Sequence, residues 1–330
     1  MLQALNSHQI LVNAQHAKPG IYTCPICNRP VVLKKGKVKL PHFAHQSIKD
    51  CFMYIYKKET ASHIEGKYAL YELFTPQTCY MEYYLPEIEQ IPDCFHHTGI
   101  ALELQMSVIP IKHLAARSAG YDSVGIDVIW IAKFQDIKID GKRMKLTHFQ
   151  SALIHLKGNV LIAYHTELKT FFALHILQIV NRNTFDIEVE MIQSGQALLQ
   201  AVEQSQLSRD YRIISQLESK QYIQNCLAKK SVLEPTLSGL YQLGIDRRHI
   251  PKYLRVVLSE QLYINTYPIE WQVGLMIMIH HKTFNFDKWM SLLNLTEQSK
   301  RLMSHEQLAF QILKKYQVTS NQIRALITEK

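Results

Sequence analysis

A chain of 330 residues, 47% of them hydrophobic, can bury a sizeable core and has room for two or three domains. The net charge of +9 is uneven: residues 1–58 carry nine basic side chains against Asp50, residues 59–193 are net acidic, and residues 194–330 are net basic. No leader opens the sequence and no apolar run is long enough for a bilayer, which argues against export and a membrane span and leaves six cysteines as cytoplasmic thiols, free or on metal.

Basic flanks around an acidic middle suit a polyanion-binding protein with central carboxylates; a solvated lysine-rich surface explains them nearly as well. The first unit opens with Cys24-Pro25-Ile26-Cys27, continues through a basic turn at Lys34-Lys35-Gly36-Lys37, and closes with His42-Phe43-Ala44-His45 and Cys51. Cys24, Cys27, His45 and Cys51 form a tetrahedral Zn²⁺ ligand set, with His42 as the alternative to His45. A redox role for the cysteine pair fits poorly, because the pair opens a lysine-rich hairpin rather than a helix. Cys79, Cys94 and Cys226 have no partner pattern and read as core.

Helical spacing of Ile64, Tyr68 and Tyr71 predicts a helix over 56–74. Glu59, His63 and Lys67 recur at intervals of four and share one of its faces, either as an exposed stripe or turned toward a functional site. Then comes β-β-β-α-β: a strand at 79–85, a hairpin at 90–106, a helix at 111–120 stopped by Gly120, and a strand at 124–132. The hairpin places Asp93 and Glu103 at the ends of two apolar runs around a Thr98-Gly99 turn, so the two carboxylates can converge on Mg²⁺ or Mn²⁺. This pattern resembles the PD-(D/E)xK nuclease superfamily, with Gln105 where its lysine usually stands. Lys112, His113 and Arg117 on the following helix, with Tyr121 beyond it, are candidate phosphate contacts or ordinary surface and core residues. Trp130 lies inside an apolar run and reads as core.

The C-terminal part reads as a helix at 145–156, strands at 160–164 and 184–192, an ambiguous stretch at 171–179, and mostly helix from 195. Arg247, Arg248, His249, Lys252 and Arg255 form its densest basic cluster, which reads as helix-end solvation slightly better than as a DNA track. Residues 271–279 read as core. No Gly-rich phosphate loop appears, which argues against an ATPase, and no aromatic motif supports RNA processing.

Cys24-Pro25-x-Cys27, His42-Phe43-Ala44-His45, Glu59-x-x-x-His63-x-x-x-Lys67, Asp93, Glu103-Leu104-Gln105-Met106-Ser107, Arg117-x-x-x-Tyr121 and Val128-Ile129-Trp130 together resemble the competence protein CoiA family over residues 1–135. That family typically has Ala-Asp-Val at the first carboxylate, where this chain has Pro92-Asp93-Cys94, and carries Gln at the position of Gln105. The resemblance implies an α/β protein with a restriction-endonuclease-like nuclease core, an N-terminal zinc-ribbon-like module and a mainly helical C-terminal region. The expected divisions are 1–55, 56–145 and 146–330. It implies action on DNA in natural transformation, with incoming single-stranded DNA as partner and recombination proteins as further candidates. Lys67 is then the candidate for the charge that Gln105 lacks, and Gln105 positions water. The alternative is a catalytically silent nuclease fold that binds DNA and assists recombination proteins.

Overall fold

The computed structural model describes residues 1–36, 40–45, 51, 59–75, 78–208 and 211–328; Lys37 of the basic turn and residues 56–58 of the expected helix start lie outside them. Five short strands open the chain: β1 (Gln3–Leu5), β2 (Leu11–Asn13), β3 (Tyr22–Thr23), β4 (Pro30–Lys34) and β5 (His42–His45). They form an antiparallel sheet in the order β2-β1-β3-β4-β5 around Ala4, Tyr22, Val31 and Phe43. Tyr68 Oη, on the next helix, donates to Pro41 O at 2.9 Å and so ties this sheet to that helix.

The helix is α1 (Ala61–Glu72), capped by Thr60, whose hydroxyl accepts from His63 N. Gly66 breaks its pattern for a reason of packing: a Cβ there would meet Tyr164 at 3.1 Å and Leu104 at 3.3 Å. Glycine lets α1 lie directly on the large sheet.

The sheet begins with β6 (Cys79–Met81), β7 (Cys94–His96), β8 (Ile100–Gln105), then α2 (Ile111–Ser123) and β9 (Asp127–Lys133). β7 and β8 make the expected hairpin, with Gly99 at φ 83° closing its turn. The expected strand at 79–85 ends at Met81, because Glu82 turns the chain at φ 48°. The helix after the hairpin runs through Gly120. A Cβ there would lie 2.1 Å from Gln90 Nε2, the movable end of a side chain, and the chain turns at Gly125, with φ 71°.

After β10 (Lys138–Asp140) and β11 (Arg143–Lys145), the expected helix at 145–156 is one turn, α3 (His148–Ser151). Thr147 and Gln150 cap each other there, and the chain then leaves helix to enter β12 (Val160–His165). The ambiguous 171–179 stretch is β13 (Thr170–Ile179), followed by β14 (Thr184–Ile192) and α4 (Gly195–Glu203). The nine strands stand in the order β10-β11-β14-β13-β12-β9-β8-β7-β6, with β8, β9 and β12 mutually parallel and the rest antiparallel. This one sheet crosses residue 145, so the strands at 160–192 continue the sheet that carries the carboxylate hairpin.

Strict alternation sorts its two faces. Ala101, Val128 and Trp130 face α2, while Leu102, Leu104, Ile129 and Ile131 face α1 and α4. Beyond the sheet the chain is helical: β15 (Arg212–Ile213), α5 (Gln216–Ala228), α6 (Pro235–Gln242), β16 (Val256–Val257), α7 (Pro268–His280), α8 (Phe286–Leu293) and α9 (His305–Thr328). Trp271, Trp289 and Tyr316 centre its core. Arg255 of the expected basic cluster is 5% exposed and donates to Ile214 O at 2.5 Å, so it braces this core rather than meeting solvent. Among the described residues no helix is long and apolar enough to cross a membrane.

The tightest backbone approach is at Gly158, where a Cβ would come within 2.5 Å of Val202 O on α4. Gly158→Ala is expected to lower the unfolding free energy by about 1–3 kcal/mol, measurable as a shift in the urea midpoint at unchanged slope.

Candidate active site and cysteine cluster

Two groups of metal-type ligands stand out among the described residues: Cys24, Cys27, His45 and Cys51, and Glu59, His63 and Asp93, each with its ligand atoms within 4.8 Å of one another. In the first, Cys24 Sγ lies 3.9 Å from Cys51 Sγ and Cys27 Sγ lies 3.2 Å from His45 Nε2. A tetrahedral ion with ligand bonds of ~2.3 Å sets donors ~3.8 Å apart, so this spacing fits one. Ile26 N donates to Cys24 Sγ at 3.4 Å, and Asn28 at φ 55° closes the loop. Burial pushes the Cys24 thiol up to about 12, a group that needs a cation to become a thiolate. His42 is three positions from His45 along β5 and therefore on the other face; its Nδ1 donates to Leu40 O at 2.8 Å. The structure brings His45 to the cysteines and leaves His42 out.

The second group lies in an open cleft of about 430 Å³ at the carboxyl ends of β8 and β9. Asp93, just before β7, is 4% exposed. Its Oδ1 meets Lys67 Nζ at 2.9 Å, and its Oδ2 accepts from His63 Nε2 at 3.1 Å and from Leu104 N at 2.8 Å. Lys67, 1% exposed, also pairs with Glu59 and, at 3.2 Å, with Glu82. Glu59 precedes the Thr60 cap and so lies outside the helix expected to carry it, but it, His63 and Lys67 all face the site.

Burial opposes charge on Asp93, Lys67 and His63, and neighbours overcome it. Lys67 holds the Asp93 carboxyl well below the usual carboxylate range, helped by His63. The carboxylates of Asp93, Glu82 and Glu59 raise Lys67, and Asp93 raises His63.

Glu103 sits across the cleft on the α2 side of β8, where Arg117 and Tyr121 hold it; the Tyr121 hydroxyl donates to Oε1 at 2.5 Å. Burial, with Asp93 nearby, raises its carboxyl despite Arg117. Asp93 and Glu103 thus line one cleft, but Glu103 stands outside the close group. The alternation of β8 turns Glu103 toward α2, while Asp93 is drawn toward α1.

The remaining expected residues divide. Gln105 lines the cleft, its Nε2 donating to Ser107 O at 2.5 Å, and Arg117 lines it with its guanidinium 5.0 Å from the Trp130 ring centre. Tyr121 is 0% exposed and anchors Glu103, so it cannot be the phosphate contact expected from sequence. Lys112 is exposed and faces a separate groove beside Glu297 and Lys300. Trp130 is core, donating to Ser118 Oγ at 3.0 Å.

Two residues escaped the sequence reading. Glu82, the acid inside the run Tyr80-Met81-Glu82-Tyr83-Tyr84, accepts from Leu2 N at 2.6 Å and so joins Lys67 to the N-terminal sheet. Lys133 ends the apolar run of β9 and lines the cleft. Each is a lone charge in an apolar or aromatic run, which is the signal that could have flagged it.

The N-terminal domain model of competence protein CoiA matches residues 5–54, and the model of that protein's nuclease-like domain matches residues 59–207. The chain belongs to the competence protein CoiA family. Competence protein CoiA of Bacillus subtilis (strain 168) is 30% identical over 179 residues, covering 52% of this chain and 48% of that protein. The matched stretch thus spans about half the length of that relative. No solved structure matches. The two CoiA domains divide the ligand groups cleanly, the cysteine cluster falling in the first and the cleft in the second.

Lys67→Met would strip the buried ammonium from Asp93 and Glu82, leaving the first to His63 and Leu104 N and the second to Leu2 N and the N-terminal ammonium, with an expected loss of about 3–5 kcal/mol in urea unfolding. The depressed Asp93 pKa contributes stability that is present above the unfolded value of ~3.9 and is lost as pH falls toward the folded value. From about pH 5 to about pH 2, wild type should therefore lose more stability than Asp93→Asn.

Proposed function

We propose that the chain is a divalent-cation-dependent deoxyribonuclease of the PD-(D/E)xK, restriction-endonuclease-like kind, acting on DNA that enters competent cells. One observation carries this reading: Glu59, His63 and Asp93 cluster within 4.8 Å in a cleft that Glu103, Gln105 and Arg117 also line. Two carboxylates and an imidazole suit Mg²⁺ or Mn²⁺, with the imidazole favouring the latter. Such an ion would polarise a phosphoryl oxygen and acidify a bound water.

The chain's own groups supply the rest. Lys67 keeps Asp93 ionised at neutral pH, and a cation would displace the His63 N–H from Asp93 Oδ2. Lys67 stands beneath the cleft, engaged by three carboxylates, so its charge acts through Asp93. Gln105 is held by its amide on Ser107 O, which leaves its carboxamide oxygen as an acceptor for the attacking water. Arg117 offsets the charge of Glu103 and sits where a phosphate would pass.

Labelled single- and double-stranded DNA should be cleaved with Mg²⁺ or Mn²⁺. Asp93→Ala and Glu103→Ala should each lower the rate by about a hundredfold or more. Uncut DNA in every lane, with binding preserved, would contradict the reading. That outcome would favour a second one: Asp93 already has Lys67, His63 and the Leu104 amide on its two oxygens. An internal ammonium would then stand in for the metal, and the fold would bind DNA for recombination proteins without cutting it.

The cysteine cluster is best read as structural Zn²⁺, on the donor set and its spacing. Elemental analysis should find one zinc per chain in wild type and none in Cys27→Ser, with the N-terminal sheet destabilised. A zinc-free wild type of unchanged stability would contradict this.

A further inference from the structure

Beside the cleft lies an aromatic group that the chemistry above leaves unused. Phe134 follows β9, His165 ends β12, and Phe172 lies near the start of β13. All three are half-buried, and the inner sides of Phe134 and Phe172 rest on the sheet's core. Ring centres are 4.8 Å apart for Phe134 and Phe172, 5.4 Å for Phe134 and His165, and 6.5 Å for His165 and Phe172. Gln135 Nε2 fixes the edge of this shelf through His165 Nδ1 at 3.3 Å and Thr166 Oγ1 at 2.7 Å.

Lys133 leaves β9 on the α1 face beside Tyr164, whereas the three rings lie on the α2 face, so its ammonium reaches them around the carboxyl edge of the sheet. It lines the cleft and immediately precedes Phe134, and its ion pair with Asp136 is long, 3.5 Å, and well exposed. So exposed a pair is weak and yields to a phosphate. Lys67, by contrast, is locked among carboxylates and does not line the cleft. Gln105 pairs with Ala132, and Lys133 pairs with Tyr164, so β8, β9 and β12 end side by side. The shelf therefore stands about two strand spacings, roughly 10 Å, from the strand of Glu103 and Gln105.

We propose that Lys133 and the Phe134–His165–Phe172 shelf form a subsite for an unpaired nucleotide, with its phosphate on Lys133 and its base against the rings. The cleft then takes single-stranded polynucleotide. This rests on the cleft reading above. A cation beside a fixed aromatic surface is the arrangement that holds single strands, because every base has a face to stack and every linkage a charge. In a duplex the base faces are stacked on one another and cannot reach a shelf at the side of the groove.

The test is fluorescence anisotropy with labelled single-stranded and duplex oligonucleotides in Ca²⁺, at several salt concentrations. Wild type should prefer the single strand. Lys133→Met should reduce the slope of log affinity against log salt by about one, and Lys133→Arg should restore it. Phe134→Leu and His165→Ala should each cost roughly tenfold in single-strand affinity and leave duplex affinity unchanged. An abasic oligonucleotide should lose the same factor on wild type and little more on His165→Ala. His165→Ala keeps the test independent of any loss of folding in Phe134→Leu.

Wild-type affinity and salt slope in both Lys133→Met and His165→Ala would overturn the subsite, as would absence of single-strand binding by wild type. Failure of the cleavage reading is separate: DNA left uncut in Mn²⁺, with these binding dependences intact, removes the nuclease and keeps the subsite.

Discussion

The interaction on which the site depends is the burial of Lys67 among Glu59, Glu82 and Asp93. An ammonium in the interior is costly unless its partners are close and several. Here they are, and they come from different parts of the chain: the entry to α1, the turn after β6, and the start of the β7–β8 hairpin. One charge thus fixes the relative position of helix and hairpin. Through Glu82 and Leu2 N it also fixes the N-terminal sheet. Three carboxylates meet this lysine, with the N-terminal ammonium acting on Glu82, and Asp93 and Glu59 stand on the cleft side, where a cation is the natural complement.

The large sheet does the remaining positioning. Alternation along β8 sends Leu102 and Leu104 to the α1 side and Glu103 to the α2 side, where Arg117 and Tyr121 hold it. The two carboxylates of the hairpin therefore approach one cleft from opposite faces of the sheet. Parallel pairing of β8, β9 and β12 brings their carboxyl ends level. That is why Gln105, Lys133 and His165 fall along one edge although they are far apart in sequence.

What was legible in the sequence is local. Cys24 and Cys27, the spacing of His63 and Lys67 on α1, and the turn at Gly99 all depend on short intervals, and a short interval is a geometric statement in a knuckle, a helix or a hairpin. His45 over His42 needed the face of β5 as well. Long-range facts were not legible. Gly120 looked like a helix stop because glycine usually is one; the side chain packed against it, Gln90, comes from another segment. Tyr121 looked like a ligand contact, but its hydroxyl is spent on Glu103 in the interior. The sheet's continuation past residue 145 depends on β12 pairing with β9, which no local pattern announces.

The central claim is that Glu59, His63 and Asp93 can take a divalent cation while Lys67 remains on Asp93. Mn²⁺ binding, followed by electron paramagnetic resonance on zinc-loaded protein, tests it most directly. The account predicts one bound Mn²⁺ per chain in wild type, lost in His63→Ala while the cysteine cluster keeps its metal. A wild type that leaves all Mn²⁺ free in solution would mean that Lys67 is the only cation the site holds.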